Sequence, residues 1–162
     1  MTKTDMLKEA ITKPEPGKRV SIVRMQMVKE GSFLYRPREF RSPKDVVEMM
    51  YQYFNNSDRE MVGVLSLDGH GCPIAFEIIS VGTVNSCMLC PRDILKHALL
   101  CNAVSLVLLH NHPSGNPCAS KEDIIITKKM REAAEVLGLQ LIDHIIIGDH
   151  KEFTSLKEQG YI

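Results

Sequence analysis

The chain lacks a long apolar stretch and a leader of the secretory type. None of its 162 residues belongs to a run approaching the roughly 20 apolar residues that a membrane-spanning helix requires. Residues Met1 to Thr12 are polar and contain no apolar core segment of a signal peptide. These absences exclude a helical membrane protein. They predict a soluble chain in the cytoplasm that makes no contact with a membrane.

The five cysteines do not form an even set that disulfides could pair. In a chain without an export signal, an odd count predicts reduced thiols. Cys87 and Cys90 form one C-x-x-C pair, which can be half of a zinc site or a redox pair. No second pair stands nearby, and this favours two unrelated thiols.

The chain also lacks net charge, since 20 basic residues balance 20 acidic ones. The charges are unevenly placed, because residues 1–41 hold ten basic and five acidic side chains, a surplus of +5. Such a basic N-terminal arm predicts either a weak nucleic-acid contact or an ordinary solvated surface. Val20 to Val28 and Phe33 to Tyr35 read as two strands of a possible β-hairpin. An edge formed by the first strand could pair with another subunit and make an oligomer.

The remainder, residues 42–162, predicts one α/β domain without internal repeats or low-complexity tracts. Ser42, Pro43 and Asp45 have the pattern of a helix start, with an N-cap, a proline at N1 and an acid at N3. Hydrophobic patterning then predicts further helices opening at Pro91 and Ser120, and strands over Glu60–Leu67, Ile74–Val81, Ala103–Leu109, Leu141–Ile147 and Glu152–Ser155. This order indicates a mixed sheet with helices on its faces.

The densest group of metal-capable side chains lies between residues 110 and 123, HNHPSGNPCASKED. His110 and His112 follow an apolar strand and stand one residue apart, so in an extended chain both imidazoles point the same way. Asp123 lies one turn into the next helix, where its carboxylate could turn toward them. Three protein ligands with a fourth position left for water are typical of catalytic zinc. The spacing therefore predicts a hydrolytic metal site.

A family resemblance follows from these residues. His110-Asn-His112, seven further residues and Ser120-x-x-Asp123 match H-x-H-x(7)-S-x-x-D, the motif of JAMM (JAB/MPN-type) zinc metallopeptidases. Further short segments of the chain resemble the bacterial RadC-like branch of that superfamily: Gly82-Thr83, Pro91-Arg92, HNHPSG and Asp143-His144. The resemblance implies a mixed β-sheet flanked by helices, layered as in cytidine deaminases. Residues 1–41 lack the helix-hairpin-helix pattern that many RadC-like chains carry, which weakens an inference of DNA binding.

The resemblance also implies roles for individual residues. His110, His112 and Asp123 would hold Zn²⁺, which makes hydroxide available from bound water at neutral pH. Glu60, at the start of a strand, would be the general base, with Glu77 as the second candidate. Ser120 would stabilise the oxyanion. From the residues alone, however, Ser120 and Asp123 also read as a capping box.

Several other polar residues carry weaker hypotheses. Cys118 lies between the ligands and is either a fourth, silencing ligand or part of an ordinary loop. His144 is expected to orient a metal ligand from behind or to form a hydrogen bond in the core. His97 is expected to face solvent. The letters HNH do not indicate a nuclease of that name, because those enzymes distribute their site residues over a longer unit.

Three functions remain open from the sequence. The first is a zinc-dependent hydrolase that cleaves peptide or isopeptide bonds in a peptide or protein substrate. The second is a non-proteolytic accessory factor in DNA repair or mobile-element biology that keeps a zinc site. The third is a structural domain that binds zinc without turnover. Metal analysis and peptide cleavage separate these hypotheses.

Overall fold

A computed structural model describes residues 19–35, 40, 42–55, 57–82 and 90–162. By internal contacts the chain divides into two units, residues 1–31 and residues 32–162. In the described part of the first unit, residues 19–31 form neither a helix nor a strand. Among the described residues, the structure contains no helix with the length and apolar character needed to cross a bilayer.

The predicted hairpin at the N-terminal side is not formed. Residues 20–28 and 33–35 are all described, and neither segment pairs as a strand. Their side chains explain the difference, because Val20, Val23 and Val28 are each at least 80% exposed. A two-stranded hairpin that buries no apolar face is marginal in water. The apolar side chains of residues 20–28 have no core to pack against within this unit.

The described residues of the second unit form three helices and a five-stranded sheet. The helices are α1 (Pro43–Phe54), α2 (Pro91–Leu100) and α3 (Lys121–Val136). The strands are β1 (Met61–Leu67), β2 (Pro73–Val81), β3 (Ser105–Asn111), β4 (Gln140–Ile147) and β5 (Phe153–Ser155), and a short 3₁₀ turn spans Asp149–Lys151. The order in the sheet is β2-β1-β3-β4-β5. Only the β3–β4 pair is parallel, so the predicted mixed α/β sheet is confirmed.

The helix starts follow the local chemistry of the sequence. Ser42 caps α1, and its hydroxyl accepts a hydrogen bond from the backbone N–H of Asp45 while the Asp45 carboxylate accepts from Ser42. The same reciprocal arrangement joins Ser120 and Asp123 at the start of α3. The end of α3 was also predicted correctly, since Gly138 follows it with a φ of +71°, a backbone conformation that glycine adopts without strain.

The sheet separates two apolar clusters. Helix α1 covers one face, where Met50 and Phe54 pack on Leu65, Leu109 and Ile145. Helices α2 and α3 cover the other face, where Ile94 and Met130 join a cluster that includes Val64, Leu106 and Leu108. Strand β3 is buried along its whole length, as its continuous apolar run indicated. The end of β3, which lies between β1 and β4 in the sheet, is therefore held in a fixed position.

Candidate metal centre

The two predicted histidine ligands lie where β3 ends. His110 is the penultimate residue of the strand and is 1% exposed, while His112 follows the strand and is partly exposed. Because the chain is extended there, both side chains project from the same face of the sheet. The two Nε2 atoms are 3.0 Å apart. The pair therefore presents two imidazole nitrogens at one point beside α3.

Asp123 completes the group from the first turn of α3. Its Oδ1 lies 3.4 Å from His110 Nε2, and its Oδ2 lies 3.5 Å from His112 Nε2. The ligand atoms of the three residues all fall within 4.8 Å of one another. The structure thus brings the three predicted ligands together, across ten residues of turn and helix start.

The spacing of these atoms fits a small cation with tetrahedral preference. Zinc ligands at about 2.0–2.1 Å from the ion lie roughly 3.3–3.4 Å from each other. The two Nε2 atoms are 3.0 Å apart, and each of them lies 3.4 or 3.5 Å from a different carboxylate oxygen of Asp123. The two imidazoles and the carboxylate therefore approach the spacing of zinc ligands.

The hydrogen-bond network assigns the tautomer of His112. Its Nδ1 lies 2.8 Å from the carbonyl oxygen of Asn116, which can only accept a hydrogen bond. The ring hydrogen of the neutral form is therefore on Nδ1. The Nε2 lone pair is left free and faces His110 and Asp123.

A longer chain of hydrogen bonds assigns the tautomer of His110. The Thr127 hydroxyl donates to the backbone oxygen of Asp123 (2.6 Å), so it must accept from His144 Nδ1 (2.5 Å). His144 then offers a bare Nε2 to His110 Nδ1, at 2.8 Å. His110 therefore donates from Nδ1 and, like His112, points a lone pair toward Asp123. Two lone pairs and a carboxylate converge, an arrangement that a metal ion, or a proton in its place, would stabilise.

The electrostatics of the group reflect this convergence. Burial lowers the pKa of His110 far below its usual range, and the charge of neighbouring His144 adds to the effect. When His112 is protonated, its Nε2 donates a hydrogen bond to Asp123, and this bond raises the pKa of His112, although burial opposes the rise. For Asp123, burial acts to raise the pKa, but hydrogen bonds from protonated His112 and from Ser120 and the electrostatic interaction with His110 together hold it well below the ordinary value. The carboxylate is therefore ionised and available as a ligand.

His144 sits entirely beneath the group. It is 0% exposed, and burial lowers its pKa to about 4, so it is neutral at physiological pH. In the parallel β3–β4 pair it is registered opposite Leu108, two residues before His110 on the same face of the sheet. Of the two roles expected for His144, the orientation of a candidate metal ligand matches its hydrogen bond with Nδ1 of His110.

Glu60 precedes β1 at the same end of the sheet. Its side chain is partly buried, and burial raises the pKa of the carboxyl group; the charge of His112 opposes the rise and that of Asp123 adds to it. Glu60 therefore interacts electrostatically with two of the three candidate ligands. In β1 the neighbouring Val62 is registered opposite His110.

Asn111 fixes the backbone around Glu60, a function that the sequence did not reveal. Its amide group donates to the carbonyl oxygen of Arg59 (3.1 Å) and accepts from the N–H of Met61 (2.9 Å). The side chain is buried, on the face of the sheet opposite the histidines on either side of it. The residue between the two ligands thus holds both chain neighbours of Glu60.

Glu77, the second candidate for the general base, takes part in a different group. Its Oε2 lies 2.7 Å from Nδ1 of His97 on α2. Since β2 pairs Glu77 with Val64 of β1, the carboxylate lies farther along the sheet from the metal centre than Glu60. The expectation that His97 faces solvent is wrong, because its side chain is only 8% exposed.

The cysteines stay apart from the three ligands in the described part of the chain. Cys118 is exposed, and its N–H bonds the side chain of Asn116. Cys90 is exposed at the start of α2, whereas Cys87 lies outside the described residues. Among the described residues the metal-capable group consists of two histidines and one aspartate.

Comparison with known proteins agrees with this geometry. A family model for the RadC-like JAB domain matches residues 40–161. A UPF0758 protein of Desulforamulus reducens is 46% identical over 122 residues, which cover 75% of this chain and 53% of that protein. A UPF0758 protein of Methanosarcina mazei is 39% identical over 132 residues, covering 81% of this chain and 57% of the relative. The chain therefore spans about half the length of the curated relatives it matches.

Proposed function

Because the chain belongs to the RadC-like JAB domain family, we propose that it is a zinc-dependent hydrolase of peptide or isopeptide bonds. The superfamily of JAB/MPN domains includes hydrolases. The observation that carries the proposal is the convergence of His110, His112 and Asp123, with both Nε2 lone pairs directed inward. The substrate under this proposal is a peptide or protein.

Zinc is the ion that this donor set suits best. Imidazole nitrogens favour zinc over calcium or magnesium, which prefer oxygen ligands. Three protein ligands with one open position are also the usual composition of a catalytic zinc site. When bound, the ion lowers the pKa of water and polarises a carbonyl group. The protein must then supply one group that transfers the proton and another that stabilises the negative charge of the intermediate.

Glu60 is the proton carrier in this proposal. It accepts a proton from the attacking water and passes it to the departing amine, because an unprotonated amine is a poor leaving group. A carboxylate whose pKa is raised by burial is better suited to accept and hold the proton of the attacking water than an ordinary surface glutamate. Asn111 holds the backbone on both sides of Glu60 and so keeps the carboxylate at the reaction position.

Ser120 would stabilise the oxyanion of the tetrahedral intermediate. In the structure its hydroxyl donates to Asp123 Oδ2, at 2.6 Å. To act on the substrate, the hydroxyl must therefore turn its hydrogen away from Asp123. Rotation about the Cβ–Oγ bond of Ser120 achieves this without backbone movement.

The decisive test combines metal analysis with a peptide library and the substitution Glu60→Gln. We expect cleavage by the zinc-loaded protein and a loss of at least about 100-fold in turnover for Glu60→Gln, which removes the general base but retains shape. A chelator should abolish cleavage in the same assay. The proposal fails if Glu60→Gln cleaves as fast as the native chain.

A second function, an accessory role in DNA repair or mobile-element biology, is favoured by a separate observation. Arg19, Arg24 and Lys29 are all exposed in the N-terminal unit, where only Glu30 among the described residues opposes them in charge. Such a segment can form weak phosphate contacts. This function predicts salt-sensitive DNA binding that survives both Glu60→Gln and chelation, in a protein that cleaves no peptide.

A further inference from the structure

A second cluster of reactive side chains lies on the same face of the sheet as the metal centre. His97, in the last turn of α2, contacts Glu77 of β2 through Nδ1 (2.7 Å) and Cys101, the C-cap of α2, through Nε2 (3.4 Å to Sγ). The Ser66 hydroxyl of β1 is fully buried beside the thiol. Three elements therefore contribute to one Cys-His-Glu arrangement.

The carboxylate fixes the direction in which the proton moves. Ionised Glu77 can only accept, so neutral His97 carries its hydrogen on Nδ1. The bare Nε2 then faces the sulfur and accepts the S–H hydrogen. A nucleophile, a base within hydrogen-bond reach and a third group that orients the base are the parts of an activated nucleophile.

The surroundings act in both directions on transfer of the thiol proton to His97. The negative charge of Glu77 and the carbonyl end of α2 both face the ring that would become positive. Burial raises the pKa of the Cys101 thiol, with the Ser66 hydroxyl opposing and the charge of Glu77 adding to the rise. The sulfur is therefore protonated at rest, and its reactivity depends on the base.

Access to the cluster selects small reagents. The His97 side chain is 8% exposed and Cys101 is partly buried, whereas the Glu77 side chain is 56% exposed. A partly buried thiol favours a small reagent over a bulky acyl donor or a folded protein. A hydroperoxide is small enough, and its departing oxygen needs the proton that His97 has taken up.

We propose that Cys101, His97 and Glu77 form a peroxide-reactive thiol centre, independent of the metal centre. Sγ attacks the terminal oxygen of a hydroperoxide while the S–H proton passes to His97 Nε2. The S–O bond forms, the O–O bond breaks, and His97 returns the proton to the departing oxygen. The products are a sulfenic acid on Cys101 and water or an alcohol; sulfur loses two electrons and the peroxide gains them.

The cluster is separated from the candidate metal ligands by an intervening strand. Glu77 of β2 is registered opposite Val64 of β1, and Val64 is registered opposite Leu108 of β3, two residues before His110. Glu77 therefore lies about 10 Å across the sheet and about 7 Å along it from the level of His110. Changes at Glu77 should therefore leave metal binding and any peptide cleavage unaltered. This separation lets the thiol proposal fail or succeed without reference to the hydrolase proposal.

The test measures sulfenic acid formation at each cysteine of the full chain. The protein is treated with hydrogen peroxide at pH 7 in the presence of dimedone, and peptide mass spectrometry follows Cys101 and exposed Cys118 in the same sample. Glu77→Gln retains size and replaces a largely exposed group. We expect it to slow labelling of Cys101 at least about tenfold, since a general base contributes about 10²–10⁴ and Glu77 orients it. Labelling of Cys118 should stay unchanged.

A second variant removes the base itself. His97→Asn should slow Cys101 labelling by about 100-fold or more, and thermal melts establish that the variant is folded; if it unfolds, Glu77→Gln alone decides. Equal rates at Cys101 in native and Glu77→Gln protein overturn the proposal. So does the absence of a dimedone adduct at Cys101 while Cys118 is labelled.

Discussion

The ring of His144 determines which nitrogen of His110 is available to a metal ion. Through its Nε2 it accepts from His110 Nδ1, and through its Nδ1 it donates to Thr127. Neither neighbour is charged, so the order of the hydrogen bonds, rather than a charge, keeps the His110 lone pair directed at Asp123. Groups in this position typically alter metal affinity by 10–100-fold.

Replacing His144 tests this arrangement. His144→Leu should weaken zinc binding by about 10–100-fold, because His110 Nδ1 loses its acceptor and the ring can change tautomer. His144→Gln offers an amide oxygen to His110 and an amide N–H to Thr127, so it should restore most of the affinity. Competition against a chromogenic chelator measures both variants. Native affinity in a folded His144→Leu protein would show that the ring is only core packing.

The cap formed by Ser120 and the oxyanion-stabilising role proposed for it can be tested separately, because Ser42 supplies a matched control. Ser120→Ala should lower the free energy of unfolding by about 1 kcal/mol through loss of the N-cap. If the hydroxyl also stabilises an oxyanion, turnover should fall by about 10²–10³. Ser42→Ala removes the equivalent cap of α1 and should cost similar stability without affecting turnover. Equal turnover in the two variants would leave Ser120 as a cap alone.

At the scale of elements, the turn after β4 supports the loop that carries His112. Asp149 donates its backbone N–H to the carbonyl of Gly115 (2.9 Å), and Gly115 has a φ of +75°. A Cβ on Gly115 would lie on the carboxylate of Asp149. The two loops are therefore in contact at a point where no side chain fits. The position of His112 depends on that contact, since Asn116 next to Gly115 accepts its Nδ1 hydrogen.

Gly115→Ala should disturb the metal centre from outside it. The matched control is Gly71→Ala, which has nearly the same φ (+76°) but open space around the added Cβ. Gly71→Ala should cost about 1 kcal/mol from backbone strain alone. We expect Gly115→Ala to cost more and also to weaken zinc binding, as measured by urea unfolding and zinc titration. Unchanged zinc affinity in Gly115→Ala would mean that the two loops are not coupled.

The helices and strands were largely predictable because their signals are local. The caps at Ser42 and Ser120 and the glycine at 138 lie within a few residues of the boundaries they set. The prediction of strands between residues 20 and 35 was wrong, because apolar alternation produces a strand only when a partner strand and a core are available. For the same reason the burial of His97 was missed: a histidine on a helix gives no sign of the glutamate that approaches it from β2.

At the scale of the whole molecule, the metal centre depends on contacts that local patterns do not specify. The convergence of His110, His112 and Asp123 was predictable because the motif spaces them within fourteen residues. Their supporting residues come from farther away: His144 lies 34 residues beyond His110, and Met61 lies 50 residues before Asn111. Only the register of β3 against β1 and β4 brings those partners together.

The most direct test is the zinc content of the purified chain, measured by elemental mass spectrometry after equilibration with zinc and gel filtration. The account predicts about one zinc per native chain and almost none for His112→Ala, whose fold is checked by circular dichroism. A native chain that retains no zinc, or a His112→Ala chain that retains as much as the native one, would contradict it.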